Sequence, residues 1–353
     1  MNKKIIFCVS LIFLFSSCKE VEEFTCDTDT CPIGLEQSTI TAIGITDSSI
    51  FKCFSECVID CELNYPPEIP YNYLYPCFNP NDPDQLAYYR KDNFNSTSVG
   101  YELWVRDFCT GEQQMITDQA FYGLDWSTKD WLIYTSTDQN IWKIKSNGDS
   151  LTQLTSIGSF NRYPRWSPNG SKIAYEPEIQ GGTFFYIMDE FGNFIEAIAD
   201  LAYSRRWCWT NNNEICYVKA ASNGMTNSKA LSVYNLNTEE IRLLHTIDEV
   251  NSTTGFLDSL IGDIEKLPNE NSIVWSAIGL IGKTDLTSGS FQVLEDKLFH
   301  EKFYSLTVRP NSPEIIINKG ADYYVGNCYY YTDFGFFLID KNDGSNPRKI
   351  VLE

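Results

Sequence analysis

The chain repeats itself, and an internal repeat constrains a fold more than any local motif, because every copy has to become the same supersecondary unit. The clearest copy runs from Arg162 to Asn193. A short apolar segment ends at Trp166. Ser167-Pro168-Asn169-Gly170 then supplies turn chemistry, with Pro168 presetting φ and Asn169-Gly170 accepting positive φ. Ile173 to Tyr175 resumes an extended segment, and Phe184 to Met188 reads as a third. After a turn at Asp189 to Asn193, Phe194 to Ile198 supplies a fourth. Four short antiparallel strands in about 40 residues predict one blade of a β-propeller.

Other copies follow the same order. Leu124 to Tyr134 precedes Asn140 to Lys145, Cys77 to Tyr88 precedes Tyr101 to Asp107, and Cys208 to Tyr217 precedes Ala230 to Asn235. Weaker copies lie at Leu267 to Trp275 and Val308 to Ile317. Anchored on the apolar residue before each turn, they fall at Phe78, Trp126, Trp166, Trp209, Leu267 and Val308, at intervals of 48, 40, 43, 58 and 41 residues. Propeller repeats run about 40–50. A β-sandwich also strings strands between Asn, Pro and Gly turns, but it does not repeat one strand-turn-strand order at this period. The expectation is an all-β, six-bladed propeller over 66–353, with four antiparallel strands per blade and the first strand of each blade innermost.

The pattern aromatic-Ser-Pro-Asp/Asn-Gly-x-x-Ile-Ala-Tyr, then Ile-Tyr-x-Met-Asp-x-x-Gly, resembles the TolB-like, WD40-like propeller repeat. Copy three carries it as Trp166-Ser-Pro-Asn-Gly-Ser-Lys-Ile-Ala-Tyr175 and Tyr186-Ile-Met-Asp-Glu-Phe-Gly192. Copies one, two and four keep the skeleton but lose or lengthen the Pro-Asn-Gly turn, and copies five and six are degenerate. The resemblance implies a six-bladed fold and a general habit of binding other macromolecules. It carries over no catalytic residue.

Residues 1–17 have a basic start at Lys3-Lys4, an apolar run from Ile5 to Phe15, and Ser16-Ser17. This reads as a secretory signal, too short to span a bilayer. Phe15-Ser-Ser-Cys18 resembles a bacterial lipobox, with Phe15 departing from the usual Leu; the alternative is an ordinary signal with a chance cysteine. A lipobox implies a mature chain acylated at Cys18, stably held in the outer membrane because it carries more than one chain. The acidic tether 18–23 resembles the surface-export patch of lipoproteins from Bacteroidetes-like bacteria, and equally suits a solvated, periplasm-facing linker.

Residues 24–65 are cysteine-rich. Asp47-Ser48 can cap a helix whose apolar face would hold Ile50, Cys53, Phe54, Cys57, Val58 and Cys61. A metal site there is opposed by the lack of nearby histidine and of any Cys-x-x-Cys. Cys26 and Cys31 bracket Asp-Thr-Asp-Thr, without the Gly and Glu of a calcium loop. No metal or other cofactor is expected. Of 12 cysteines, Cys8 leaves with the signal and Cys18 is lipidated, so 10 remain. In an oxidising compartment Cys26, Cys31, Cys53, Cys57, Cys61, Cys77, Cys109, Cys208, Cys216 and Cys328 are disulfide candidates. Cys208 with Cys216 is a possible local pair. Pro66-Pro67 and Pro70 mark the propeller's start, and Val250 to Glu265 reads as an irregular insertion of the kind that often carries function, within which Asp258 to Glu265 can form a loop helix or a strand. Tyr323 to Asp333 is rich in tyrosine and reads as blade core.

The formal charge is −20; without Lys3 and Lys4 it becomes −22, from 25 basic and 47 acidic residues. Such a surface repels nucleic acid and anionic lipid. Four of nine arginines sit in two equivalent segments before a turn: Arg162 and Arg165, then Arg205 and Arg206. They are candidates for a positive island at the channel mouth that receives a carboxylate-bearing peptide or acidic glycan, or they pair with neighbouring acids. An enzyme is not indicated. His245 and His300 stand 55 residues apart, and no His-Glu-x-x-His, Gly-x-Ser-x-Gly or P-loop occurs. The two histidines are too few for a metal-dependent propeller lyase, and the chain ends with the sixth repeat, where some propellers continue into a hydrolase domain. A carboxylate-pair glycosidase stays open. The leading expectation is a lipid-anchored, non-catalytic scaffold for an envelope or surface protein; the alternatives are a glycan-binding module and a propeller glycosidase or lyase.

Overall fold

A computed structural model describes residues 71–92, 99–156, 160–178, 184–199, 207–220, 229–246, 263–277, 280–296, 301–325, 328–342, 348–350 and 352. The signal, the tether, the cysteine-rich segment with its expected helix, and Arg205 and Arg206 lie outside the described residues. Within them the chain is all-β, with 23 strands and no helix.

Seven strands follow one another in a single antiparallel sheet: β1 (Tyr71–Asn79), β2 (Asp82–Asp92), β3 (Tyr101–Asp107), β4 (Gln113–Trp126), β5 (Trp131–Ser136), β6 (Ile141–Lys145) and β7 (Thr152–Gln153). Four sheets of four consecutive strands complete the chain. The first holds β8 (Asn161–Trp166), β9 (Lys172–Pro177), β10 (Phe184–Asp189) and β11 (Phe194–Ala199). The next holds β12 (Trp207–Asn211), β13 (Glu214–Ala220), β14 (Lys229–Asn235) and β15 (Ile241–Thr246). Then come β16 (Asp263–Lys266), β17 (Ser272–Ala277), β18 (Leu280–Asp285) and β19 (Phe291–Asp296), and finally β20 (Glu301–Val308), β21 (Glu314–Val325), β22 (Cys328–Asp340) and β23 (Arg348–Lys349).

This corrects the expectation of six separate blades. Four are separate, and the strands of the first two repeat copies share one sheet. The cause is β4, which is 14 residues long. Gln113 to Ala120 pairs with β3, and Ala120 to Trp126 pairs with β5. Its middle, Thr117-Asp-Gln-Ala120, has no Gly or Pro to end a strand, so the strand shifts register there and continues. The last residues of the Val250 to Glu265 stretch, Asp263 to Glu265, take the strand alternative and open β16, an inner strand.

β1, β4, β8, β12, β16 and β20 face the axis, each touching the next and β20 touching β1. Cores fill the spaces between neighbouring sheets. Phe185, Ile187, Trp207 and Trp209 pack between the β8 and β12 sheets, and Val218, Leu231, Ile264 and Trp275 between the next two. Phe78, Leu86 and Tyr88 meet Ile316, Phe336 and Leu338 where the ring closes. Burial of such side chains stabilises by roughly 1.5–3 kcal/mol each.

The two faces of the ring are built differently. One carries the hairpin turn after each inner strand and the turn before each outer strand. Asn or Asp side chains cap these turns: Asn79, Asp107, Asn169, Asp189, Asn235 and Asp285 each accept a backbone N–H within the turn. Gly170 takes φ +65° there, and in copy two Asp130 takes the same place at +58°, which is how the turn survives loss of its glycine. Neighbouring turns are laced together, Asn81 to the Thr128 carbonyl at 2.9 Å and Asn169 N–H to Asn212 at 3.0 Å. The opposite face carries the connections between middle strands and those that lead into each inner strand.

Candidate functional site

Three adjacent inner strands bulge at the same level. Tyr75 on β1, Gly123 on β4 and Tyr163 on β8 all have positive φ, +52°, +61° and +51°. A register shift accompanies each. Two tyrosines in a conformation that side chains disfavour store on the order of 1–3 kcal/mol apiece. At Gly123 a Cβ would stand 2.6 Å from the Tyr163 Cα, so only glycine lets these two bulges nest. The bulges bound an axial cavity of about 30 Å³, whose remaining wall includes Asp263, Glu265 and Ser305.

Arg165 sits at this cavity. Its Nη2 donates to Asp263 Oδ1 at 2.7 Å, and its Nη1 pairs with Glu265 and donates to the Ile264 carbonyl at 3.3 Å. The side chains are 17, 10 and 29 % exposed for Arg165, Asp263 and Glu265. Asp125 on β4 completes the cluster; its oxygens accept the N–H groups of Trp166 at 2.6 Å and Trp126 at 2.9 Å, tying β4 to β8. Asp263 accepts Leu306 N–H at 3.1 Å, tying β16 to β20. These four residues brace the ring and crowd three carboxylates around one guanidinium.

Burial dominates the protonation of the three carboxylates. It pushes Asp125 up to about 6, against the pull of Arg165 and of the two N–H donors. It pushes Glu265 up to about 8, with Arg165 opposing and the charges of Asp263 and Asp125 adding. Asp263 is raised by burial as well, against Arg165. Burial alone would lower Arg165, yet Glu265, Asp263 and Asp125 together outweigh it and hold the guanidinium charged.

Beside the cavity lies a second cluster, on the face away from the laced turns. Phe121 and Phe160 stack at 5.8 Å with 21° between planes, and Tyr122 contacts Phe160 at 5.4 Å and Tyr163 at 5.6 Å. The Arg162 guanidinium lies 4.6 Å from the Phe160 ring centre and pairs with Glu178. Thus Arg162 and Arg165, three residues apart, serve different clusters, one at the face and one at the axis, and each meets acidic partners. Asp125, Asp263 and Glu265 were not singled out by the sequence. Counting back from the Leu267 anchor places Asp263 to Lys266 in an inner strand, and that signal finds two of them.

The cysteine expectation is corrected at three positions. Cys77, Cys208 and Cys216 are free, buried thiols. Cys208 and Cys216 are direct partners across β12 and β13, yet both serve as small apolar residues packed with Val218, Leu231 and Ile273. Burial pushes all three thiols up. Cys109, exposed in the turn after β3, is not among these free thiols. Cys328 opens β22, and Cys26, Cys31, Cys53, Cys57 and Cys61 lie outside the described residues. His245 is buried, 2.9 Å from Thr284 Oγ1 and packed on Phe291. Among the described residues no group of three His, Cys, Asp or Glu side chains converges to hold a metal ion.

Fold and axis define an all-β propeller protein, and its structural neighbours are TolB-like propellers. The structure of a putative TolB from Agrobacterium tumefaciens superposes with a TM-score of 0.52 at 13 % identity, over 72 % of this chain and 89 % of that one. An oligogalacturonate lyase from Vibrio parahaemolyticus gives 0.52 at 9 %, over 80 % and 79 %. TolB from Acinetobacter baumannii gives 0.47 at 16 %, over 64 % of this chain and 55 % of that one, so the present chain spans little over half of it. No protein-family model and no curated protein matches the sequence. At these identities the likeness shows the fold alone.

Proposed function

We propose that this chain is a bacterial outer-membrane lipoprotein, acylated at Cys18, whose TolB-like propeller is a non-catalytic scaffold for a protein partner in the cell envelope. The observation that carries this is the Phe121–Tyr122–Phe160–Arg162 cluster. Aromatic rings with an arginine are the residue types enriched at protein interfaces, and they stand on the face away from the laced turns, near the axis. Arg205 and Arg206, in the equivalent segment of the next repeat, are proposed to serve the same partner. In the oxidising compartment that export implies, the cysteines of 24–65 would pair. The test is cross-linking in cells followed by affinity purification, with Cys18→Ala alongside. The expected result is one protein recovered stoichiometrically and lost without the anchor; recovery of no protein overturns the reading.

The stacked Phe121 and Phe160 pair favours a second reading, a glycan-binding surface, which predicts retention on a polysaccharide column. The fold shared with an oligogalacturonate lyase raises a lyase as a third. A net charge of −20 opposes binding of an anionic sugar.

A further inference from the structure

We propose that the axial cavity binds a single ammonium group, accepted by Glu265 and Ser305. Three observations carry this. Arg165 supplies one positive charge against the carboxylates of Asp125, Asp263 and Glu265, so the fully ionised cluster keeps an excess of two negative charges in a confined space. Ser305, 5 % exposed, lines the cavity, and its Oγ is buried with no hydrogen-bond partner. A buried hydroxyl left unpaired costs about 1–3 kcal/mol, and a donor placed in the cavity removes that cost. Finally, Asp263 spends its oxygens on Arg165, Ile264 N–H and Leu306 N–H, whereas Glu265 accepts from Arg165 through Oε1, leaving Oε2 to accept from a ligand.

The chemistry selects the class. An anion meets the wrong sign. A multivalent metal needs several converging ligands, which the described residues do not provide. An ammonium needs only hydrogen-bond acceptors and net negative charge. The cavity, about 30 Å³, has room for about two groups the size of water, enough for –NH3⁺ and the carbon that bears it. Proton and ammonium compete for Glu265. The groups around it are Arg165 from β8, Asp125 from β4, Asp263 on its own strand, Cys208 from β12 and Cys77 from β1; β20 adds the uncharged Ser305. Glu265 releases its proton around pH 8, so binding tightens as pH rises. The cavity's chemistry does not rest on the aromatic cluster at the face.

The experiment is calorimetric titration of the full chain with methylammonium chloride at pH 7 and pH 9, with tetramethylammonium chloride at equal ionic strength as comparison. The proposal expects one saturable site for methylammonium, about tenfold tighter at pH 9 as Glu265 goes from mostly protonated to mostly ionised, and none for tetramethylammonium, which has no N–H. Glu265→Gln weakens binding at least tenfold and abolishes the pH dependence. Ser305→Ala, a change of one atom, weakens it independently should the first variant fail to fold. Nα-acetyl-lysine amide separates the sources: its binding points to a partner's lysine, and binding of methylammonium alone points to a free small amine. No saturable binding at either pH, or equal binding of the two salts, overturns the proposal.

Discussion

Replacing Arg165 with methionine removes the one cation among three crowded carboxylates and keeps most of the side-chain volume. Arg165 pairs with Asp263 at 2.7 Å and with Glu265, and it is mostly buried. Breaking a buried pair from one side costs about 3–5 kcal/mol, because the abandoned charge stays buried. The abandoned charges here are carboxylates, which can escape the cost by taking protons. The loss should therefore be near 3 kcal/mol or more at pH 9, where Glu265 beside an intact Arg165 is ionised and the substitution gives up a charged pair, and nearer 1 kcal/mol at pH 5, where mainly hydrogen bonds are lost. Urea unfolding followed by tryptophan fluorescence at the two pH values measures this. Arg165→Met combined with Glu265→Gln should recover part of the pH 9 loss, because one abandoned charge is gone. A loss under 1 kcal/mol at pH 9, or an equal loss at both pH values, refutes the reasoning.

The unaltered chain carries the same signature. Asp125 and Glu265 hold protons in the folded state at a pH where the unfolded chain has released them, so the folded state binds more protons and stability falls as pH rises. Their contribution is full below about pH 4 and lost through about 6 for Asp125 and about 8 for Glu265. Denaturation midpoints should decline from pH 5 to pH 9, and a rise over that range contradicts the cluster. Gly282→Ala should destabilise by about 1–3 kcal/mol, because its Cβ would lie 2.1 Å from the buried Trp275 ring across the strand pair; an unchanged thermal midpoint sinks that packing argument. Alkylation with peptide mapping should find Cys77, Cys208 and Cys216 protected in the native chain and modified after unfolding without reductant. Any of the three found in a disulfide contradicts the structure.

What was legible in the sequence is what local chemistry decides. Asn and Asp caps and the Ser167 to Gly170 turn fix hairpins within a few residues, so the expected strands at Ile173, Phe184 and Phe194 appear as β9, β10 and β11. The fused sheet was hidden because a strand that merely lacks a break gives no signal, as Thr117 to Ala120 shows. The charge cluster was hidden for another reason. Arg165 meets Asp263 and Glu265 across 98 and 100 residues, and only closing the ring brings them together. Cys208 and Cys216 were visible as strand partners, but their packing against Val218, Leu231 and Ile273, which makes them core residues, is tertiary.

The scaffold reading rests on one face of the propeller meeting a protein while the laced face does not. A photo-cross-linking residue placed in cells at Phe121, and separately at Thr238 in the exposed turn between β14 and β15, tests this directly. A discrete protein adduct is expected from position 121 and none from position 238. An adduct from 238 alone, or none from 121 in cells where the anchored chain is intact, contradicts it.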